Sequence, residues 1–187
     1  MRRERRIAVE NGPVYSTLCT SSLTHMSTPI ADYPTFSPYI TVRNAAQAIA
    51  FYQAAFGATE RFRLADKATG AVGHAELSIA GSLLMLSDEN PQWGNKAPPT
   101  LGGSPVTFCL MVPNADAALA RAVAAGATVL MQAADQFYGF RSASVVDPYG
   151  HQWMLQHEIE KVSPAELQKR WDAMTSGCAG AETPKST

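Results

Sequence analysis

Two stretches of the chain repeat the same order of apolar and polar positions, and each reads as a strand, a helix and three further strands. The first opens at PYITV, passes through VRNAAQAIAFYQAAFGAT, and continues into TERFRLA, GHAELSIA and SLLMLSD. The second opens at VTFCLMV, passes through VPNADAALARAVAAGAT, and continues into ATVLMQ, FRSASVV and HQWMLQH. In each, an Asn precedes an Ala-rich helix that is apolar on one face, and a glycine, Gly57 or Gly126, stops it. The Val-x-Asn entries and Gly-Ala-Thr exits align once a single residue is skipped, so the middle of the chain is an internal repeat of β-α-β-β-β units. Beyond it, VSPAELQKRWDAM predicts a terminal helix. Ser163 is its cap, Pro164 its first position, and Glu166 stands three residues after the cap. Leu167 and Trp171 supply an apolar stripe that packs on the domain or on a second subunit.

The phrases YITVRNAAQAIAFYQAAFGA, GHAELSIAGSLLMLSDEN and VVDPYGHQWMLQH, spanning about Phe36 to His157, resemble the PhnB-like branch of the vicinal-oxygen-chelate superfamily of glyoxalases, bleomycin-resistance proteins and dioxygenases. That resemblance implies an α+β fold. Two tandem βαβββ modules would form an eight-stranded, incompletely closed, cup-shaped mixed sheet with helices on the convex face and a small molecule in the concave one. Metal-dependent members place His, Gln or Glu at four cup-facing positions, because a Lewis acid holding two vicinal oxygens needs N or O donors on at least three sides. Aligned through Val42, Val112 and the Asp147-Pro148-x-Gly150 turn, those positions here are Ser37, Met85, Thr107 and Met154. Hydroxyls are weak donors and thioethers prefer soft ions, so no metal and no cofactor is expected.

The hairpin fixes which residues share the cup face. Ala80-Gly81 reads as a two-residue turn that pairs Ile79 with Ser82. Counting outward sets Ser78 against Leu83, Glu76 against Met85, and His74 against Ser87 on one face. Ala75, Leu77, Ile79, Leu84 and Leu86 fall on the other, and a wholly apolar set belongs beneath the helices. His74 and Glu76 therefore point toward the ligand, as a polar lining or as an acid–base pair in which the carboxylate holds the imidazole in one tautomer. As an accessible residue, Glu76 should tolerate conversion to Gln within about 1 kcal/mol. The same parity across VVDPYGHQW, with Val146 paired to His151, places Arg141 and Ala143 with Gln152, Met154 and Gln156 on the cup side. Arg141 then binds an anion or remains an exposed strand charge. Tyr39, and Cys109 by its parity with Thr107, complete the expected lining. Trp93 in DENPQWGNKAPPT is read as a lid or dimer contact, and Phe137, Tyr138 and Phe140 in DQFYGFR as covers for a flat ligand. Trp153, of opposite parity to Met154, is read as core. Where the family commonly has an acidic residue after Tyr-Gly, this chain has Phe140.

Composition narrows the function classes. A chain of 187 residues with 46% hydrophobic and 17% charged residues fits one domain, and a net charge of -1 gives no basic footprint for nucleic acid. Cys19, Cys109 and Cys178 lie far apart with no CxxC spacing, which disfavours a disulfide framework and suits a reducing cytoplasm. No run approaches the roughly 20 apolar residues of a membrane span. The Arg-rich start MRRERRIAVE lacks the apolar core of a secretory signal, and Met26 is an alternative start. Residues 1–33 are expected to be a loose extension and 34–160 the domain, with modules at about 36–90 and 104–158. Residues 161–174 are expected to form the terminal helix and 175–187 a disordered polar tail. Two functions remain open. One is a metal-independent homodimeric protein binding a small aromatic or amphipathic molecule in the cup. The other is a lyase or isomerase using His74 and Glu76, or a metal held by them with His151 or His157.

Overall fold

The computed structural model describes residues 33–176. The expectations for the N-terminal extension, for a start at Met26 and for the tail beyond 176 fall outside those residues. The first module is β1 (Tyr39–Val42), α1 (Ala45–Phe56), β2 (Thr59–Ala65), β3 (Val72–Ile79) and β4 (Ser82–Asp88). A 3-10 turn (Pro91–Trp93) and the short α2 (Pro98–Leu101) lead to the second module. This comprises β5 (Thr107–Met111), α3 (Ala115–Ala124), β6 (Thr128–Asp135), β7 (Phe140–Val146) and β8 (Gln152–Glu158), and is followed by α4 (Pro164–Ser176). Each module makes a four-stranded mixed sheet, in the orders β1-β4-β3-β2 and β5-β8-β7-β6. The repeat and the α+β class hold, and the two sheets meet without a shared ladder among the described residues, so the cup is open rather than closed.

Local chemistry sets these elements. Asn44 and Asn114 cap their helices by accepting from the backbone N–H groups of Gln47 and Ala117 at 3.2 and 2.8 Å. The Ala80-Gly81 turn has positive φ at both residues, 49° and 82°, the geometry that suits a tight hairpin. It sets Ile79 against Ser82, Leu77 against Leu84 and Glu76 against Met85, as the sequence implied.

One apolar core serves both modules. Ala75, Leu77, Ile79, Leu84 and Leu86 join α1 in it, as do Ala143, Val145, Trp153 and Leu155 of the second sheet. The concave faces are therefore the opposite ones. At the junction Asp147, 3% exposed, accepts from Tyr52 Oη of α1 at 2.8 Å and from Trp153 Nε1 at 3.0 Å. Its other oxygen takes the N–H groups of Tyr149 and His151, both at 2.9 Å. Burial and this carboxylate push the Tyr52 phenol well above its ordinary pKa, so it stays a donor. His151 Nε2 lies 3.1 Å from the carbonyl oxygen of Thr41, a second tie between modules.

The second hairpin differs from expectation. Asp147 N–H bonds the His151 carbonyl at 2.9 Å, so Val146 pairs with Gln152 and Ser144 with Met154. A slip of one residue exchanges faces. Ser142 and Ser144, not Arg141 and Ala143, lie on the concave side with Gln152, Met154 and Gln156. Ala143 is fully buried beneath α3.

Candidate functional site

The concave face of the first module carries a continuous polar chain. His74 on β3 has Nδ1 3.3 Å from Tyr39 Oη and Nε2 3.3 Å from Glu76 Oε1. Glu76 is 1% exposed, and its second oxygen lies 3.6 Å from the Arg61 guanidinium. Arg61 is brought there by an irregularity in β2. The β2–β3 register shifts between Glu60 and Phe62, which leaves Arg61 as the extra residue beside the ladder. Tyr39 and Phe62 flank the imidazole, each with ring centroids 5.6 Å from it. A carboxylate accepting at Nε2 fixes the proton there, so Nδ1 is the atom that receives the Tyr39 hydroxyl. The expectation of an accessible Glu76 is corrected: its side chain is buried, with one oxygen against His74 Nε2 and the other toward the Arg61 guanidinium. Tyr39, 48% exposed, is the outward end of the chain.

The second module presents a neutral counterpart. Tyr138 Oη lies 3.1 Å from Ser142 Oγ, Ser142 Oγ donates to Gln156 Oε1 at 3.2 Å, and Gln156 Nε2 donates to Cys109 Sγ at 3.0 Å. Partial burial raises the Cys109 thiol, which keeps it protonated and disfavours a nucleophilic role. Tyr138 contacts Phe140 at 6.0 Å between centroids, so these two stay beside the concave face. Phe137 instead packs on Trp171 of α4 at 5.8 Å, and Arg170 bonds its carbonyl at 3.0 Å. Arg141 leaves the site altogether. It donates to both Asp116 oxygens, at 2.7 and 2.8 Å, and to Asp135 at 2.7 Å, on the α3 side.

The four positions that would hold a metal do not fit one. Ser37 supplies a buried hydroxyl, Met85 and Met154 thioethers, and Thr107 a hydroxyl 3.4 Å from Gln152 Oε1. The alternative set is not assembled either. His157 Nδ1 accepts from the Ala115 N–H at 3.0 Å, and His151 is spent on Thr41. Among the described residues no three His, Cys, Asp or Glu side chains converge as a cation needs.

Beside the Tyr39–His74 chain, at the outer end of β2, β3 and β4, lies a hollow of about 520 Å³. Leu64, Gly73, Ser87 and Trp93 line it, with Asp66, Asp88 and Glu89. Trp93, expected from sequence as a lid or dimer contact, lines this hollow. Arg61, Phe62 and Leu64 were missed, because a bulge in β2 leaves no periodic signal. Ser142 was missed through the register slip.

Comparison with known proteins agrees with this architecture. The profile described as Glyoxalase/Bleomycin resistance protein/Dioxygenase superfamily matches residues 29–155. An uncharacterized Mycobacterium tuberculosis protein is 42% identical over 147 residues, covering 77% of this chain and 86% of its own. The X-ray structure of an Arabidopsis thaliana gene product superposes with a TM-score of 0.55 at 31% identity, covering 66% of this chain and 98% of that one. A PhnB protein from Bacillus cereus, described as a putative 3-demethylubiquinone-9 3-methyltransferase, shares the fold with a TM-score of 0.52 at 15% identity, covering 66% and 99%. A match of this extent, on two βαβββ modules around an open cup, places the chain in the glyoxalase/bleomycin resistance protein/dioxygenase superfamily.

Proposed function

We propose that this protein binds a small aromatic or amphipathic molecule on the concave face of the first module, without a metal. The observation that carries the reading is the internal neutralisation of Glu76. The buried carboxylate is occupied by Arg61 and His74, so the surface left for a ligand is the Tyr39 hydroxyl set among the apolar faces of Phe62 and Leu64. Leu64 is 62% exposed, an apolar side chain that gains by being covered. The donor set at the four family positions supports metal independence, since hydroxyls and thioethers hold hard divalent ions poorly. Titration with Nile red, a neutral aromatic probe, tests this. Saturable binding that EDTA leaves unchanged and that Tyr39→Ala or Leu64→Ala weakens about tenfold supports the reading. Binding that either variant leaves intact, or that chelation abolishes, overturns it.

A second reading rests on the His74–Glu76 contact at 3.3 Å. With Nε2–H held by Glu76, Nδ1 takes the proton of Tyr39, and the phenolate oxygen then accepts one from a ligand carbon acid, as an isomerase or lyase requires. Tyr39→Phe separates the two readings. A binder retains most of its affinity for Nile red, whereas proton transfer is lost.

A further inference from the structure

We propose that the hollow beside the Tyr39–His74 chain receives an organic cation, an alkyl- or arylammonium group carried on a flat apolar body. The inference rests on the binding reading above and names the class of ligand.

Three observations converge. Trp93 closes one side of the hollow and is 71% exposed. Its exposure is built in rather than incidental. Asn90 and Asn95 exchange both backbone hydrogen bonds, at 2.9 and 3.1 Å, and the Asn90 side chain accepts from the Gln92 N–H, so a short closed loop holds the indole outward. A large ring kept in water on a rigid loop is a platform for an apolar or cationic partner.

Ser87 supplies a polar anchor. It lines the hollow, is 2% exposed, and its Oγ has no hydrogen-bond partner among the described residues. An orphaned buried hydroxyl costs stability unless something completes it, and a ligand N–H entering from the hollow does so.

Charge selects the class. The lining holds three carboxylates, Asp66, Asp88 and Glu89, against one guanidinium, Arg63, and Arg63 is turned to an ion pair with Glu60. Asp88 is spent on the backbone N–H groups of Ala45 and Val72, at 2.6 and 2.7 Å, and Glu89 on Arg43, Ala97 and Thr100. Asp66 differs. Its hydrogen bonds from Ala68 and Thr69 all end on Oδ1, which leaves Oδ2 for a ligand donor. Those same bonds hold the Asp66 carboxyl below its usual range, so it is ionised at any ordinary pH. An ammonium placed among Asp66 Oδ2, Ser87 Oγ and the Trp93 face meets an anion, an acceptor and a π-surface at once.

The test uses three probes of one shape: 1-naphthylmethylammonium, 1-naphthylmethanol and 1-naphthoate, titrated calorimetrically into the full chain. The ammonium should bind roughly tenfold more tightly than the alcohol and more tightly still than the carboxylate, with the preference shrinking as salt rises. Asp66→Asn should remove most of that preference while leaving the alcohol unchanged, and Trp93→Ala should weaken the ammonium about fivefold. Ser87→Ala provides a readout that a structural role would not give. It should weaken the ammonium while leaving the melting temperature of the free protein unchanged or higher, because the hydroxyl has no partner to lose. Equal affinity for the alcohol or the carboxylate overturns the cation assignment and leaves the Nile red reading intact. Failure of all three probes to bind, or indifference of the ammonium to both Trp93→Ala and Ser87→Ala, overturns this site.

Discussion

The two modules share a backbone plan and differ in the chemistry hung on it. Tyr39 pairs with Met85, and Cys109 with Met154, so Tyr39 and Cys109 occupy equivalent places. Glu76 pairs with Met85, and Ser144 with Met154, which makes Ser144 the counterpart of Glu76 and Ser142 that of His74. Where the first module has a buried carboxylate, an imidazole and a phenol, the second has two hydroxyls and a thiol. The same substitution of kind occurs at the helix entries. The Ala45 N–H is met by the carboxylate of Asp88, whereas the Ala115 N–H is met by the imidazole of His157. A duplicated scaffold conserves the need for an acceptor at a helix start, because an orphaned N–H is costly wherever it occurs. It does not conserve the chemistry of the open face. That face is free to diverge, and here the linked chain of Arg61, Glu76 and His74 has formed on the first module.

The strongest way to break this division is at the junction, which belongs to both modules. Asp147→Ala should cost about 3–5 kcal/mol in urea unfolding, because it strands the Tyr52 hydroxyl, the Trp153 N–H and two backbone N–H groups in the core. Asp88→Ala, which removes an acceptor within one module, should cost about 1–2 kcal/mol. If the order is reversed, the modules are not held together through Asp147.

Next in size is the contrast between faces within one hairpin. Leu84→Ala should cost about 2–5 kcal/mol as a core cavity, whereas Met85→Ala, its neighbour on the concave side, should cost about 1 kcal/mol and be felt in Nile red binding. Thermal melts of the pair read the register directly. That register was legible from sequence because a two-residue turn admits one pairing. The turn at Asp147 was not. Its Pro148-Tyr149-Gly150 loop is closed by the Asp147–His151 bond, one residue deeper than the apolar pattern implied. FRSASVV alternates small residues, Ser142, Ala143 and Ser144, whose polarity barely distinguishes core from cup, so nothing in the pattern corrected the slip. Trp153 was legible as core because an indole is too large to be neutral about its face. The burial of Glu76 was invisible for another reason. It depends on Arg61 arriving from a bulge, and a bulge is a departure from the very periodicity that sequence reading uses.

A smaller effect sharpens the chemical contrast between modules. Glu76→Gln keeps the shape but leaves Arg61 and His74 facing an amide, and should cost about 1–3 kcal/mol. The equivalent Ser144→Ala should stay within about 0.5 kcal/mol. Equal costs in chemical denaturation would mean that the charged chain of the first module is not what distinguishes it.

The smallest effect is expected at Arg141, the residue that a one-residue slip had carried into the cup. Its guanidinium bonds Asp116 on α3 and Asp135 on β6, and its hydrogen bonds hold the Asp116 carboxyl below the usual range. Both acids are more than half exposed, so solvent screens the pairs and only a slight fall in melting temperature should follow Arg141→Met at neutral pH. The dependence on pH has a definite sign. A carboxylate whose folded pKa is depressed stabilises the fold above its unfolded value, about 3.9 for Asp, and loses that contribution as pH falls through the lower folded value. The wild type and Arg141→Met should therefore differ most above about pH 4 and converge in stronger acid. Affinity for Nile red and for 1-naphthylmethylammonium should be unchanged by the substitution, since the side chain lies on the helix side of β7. Loss of ligand affinity in Arg141→Met with an unaltered acid profile would return Arg141 to the concave face, and with it the pairing of Val146 with His151.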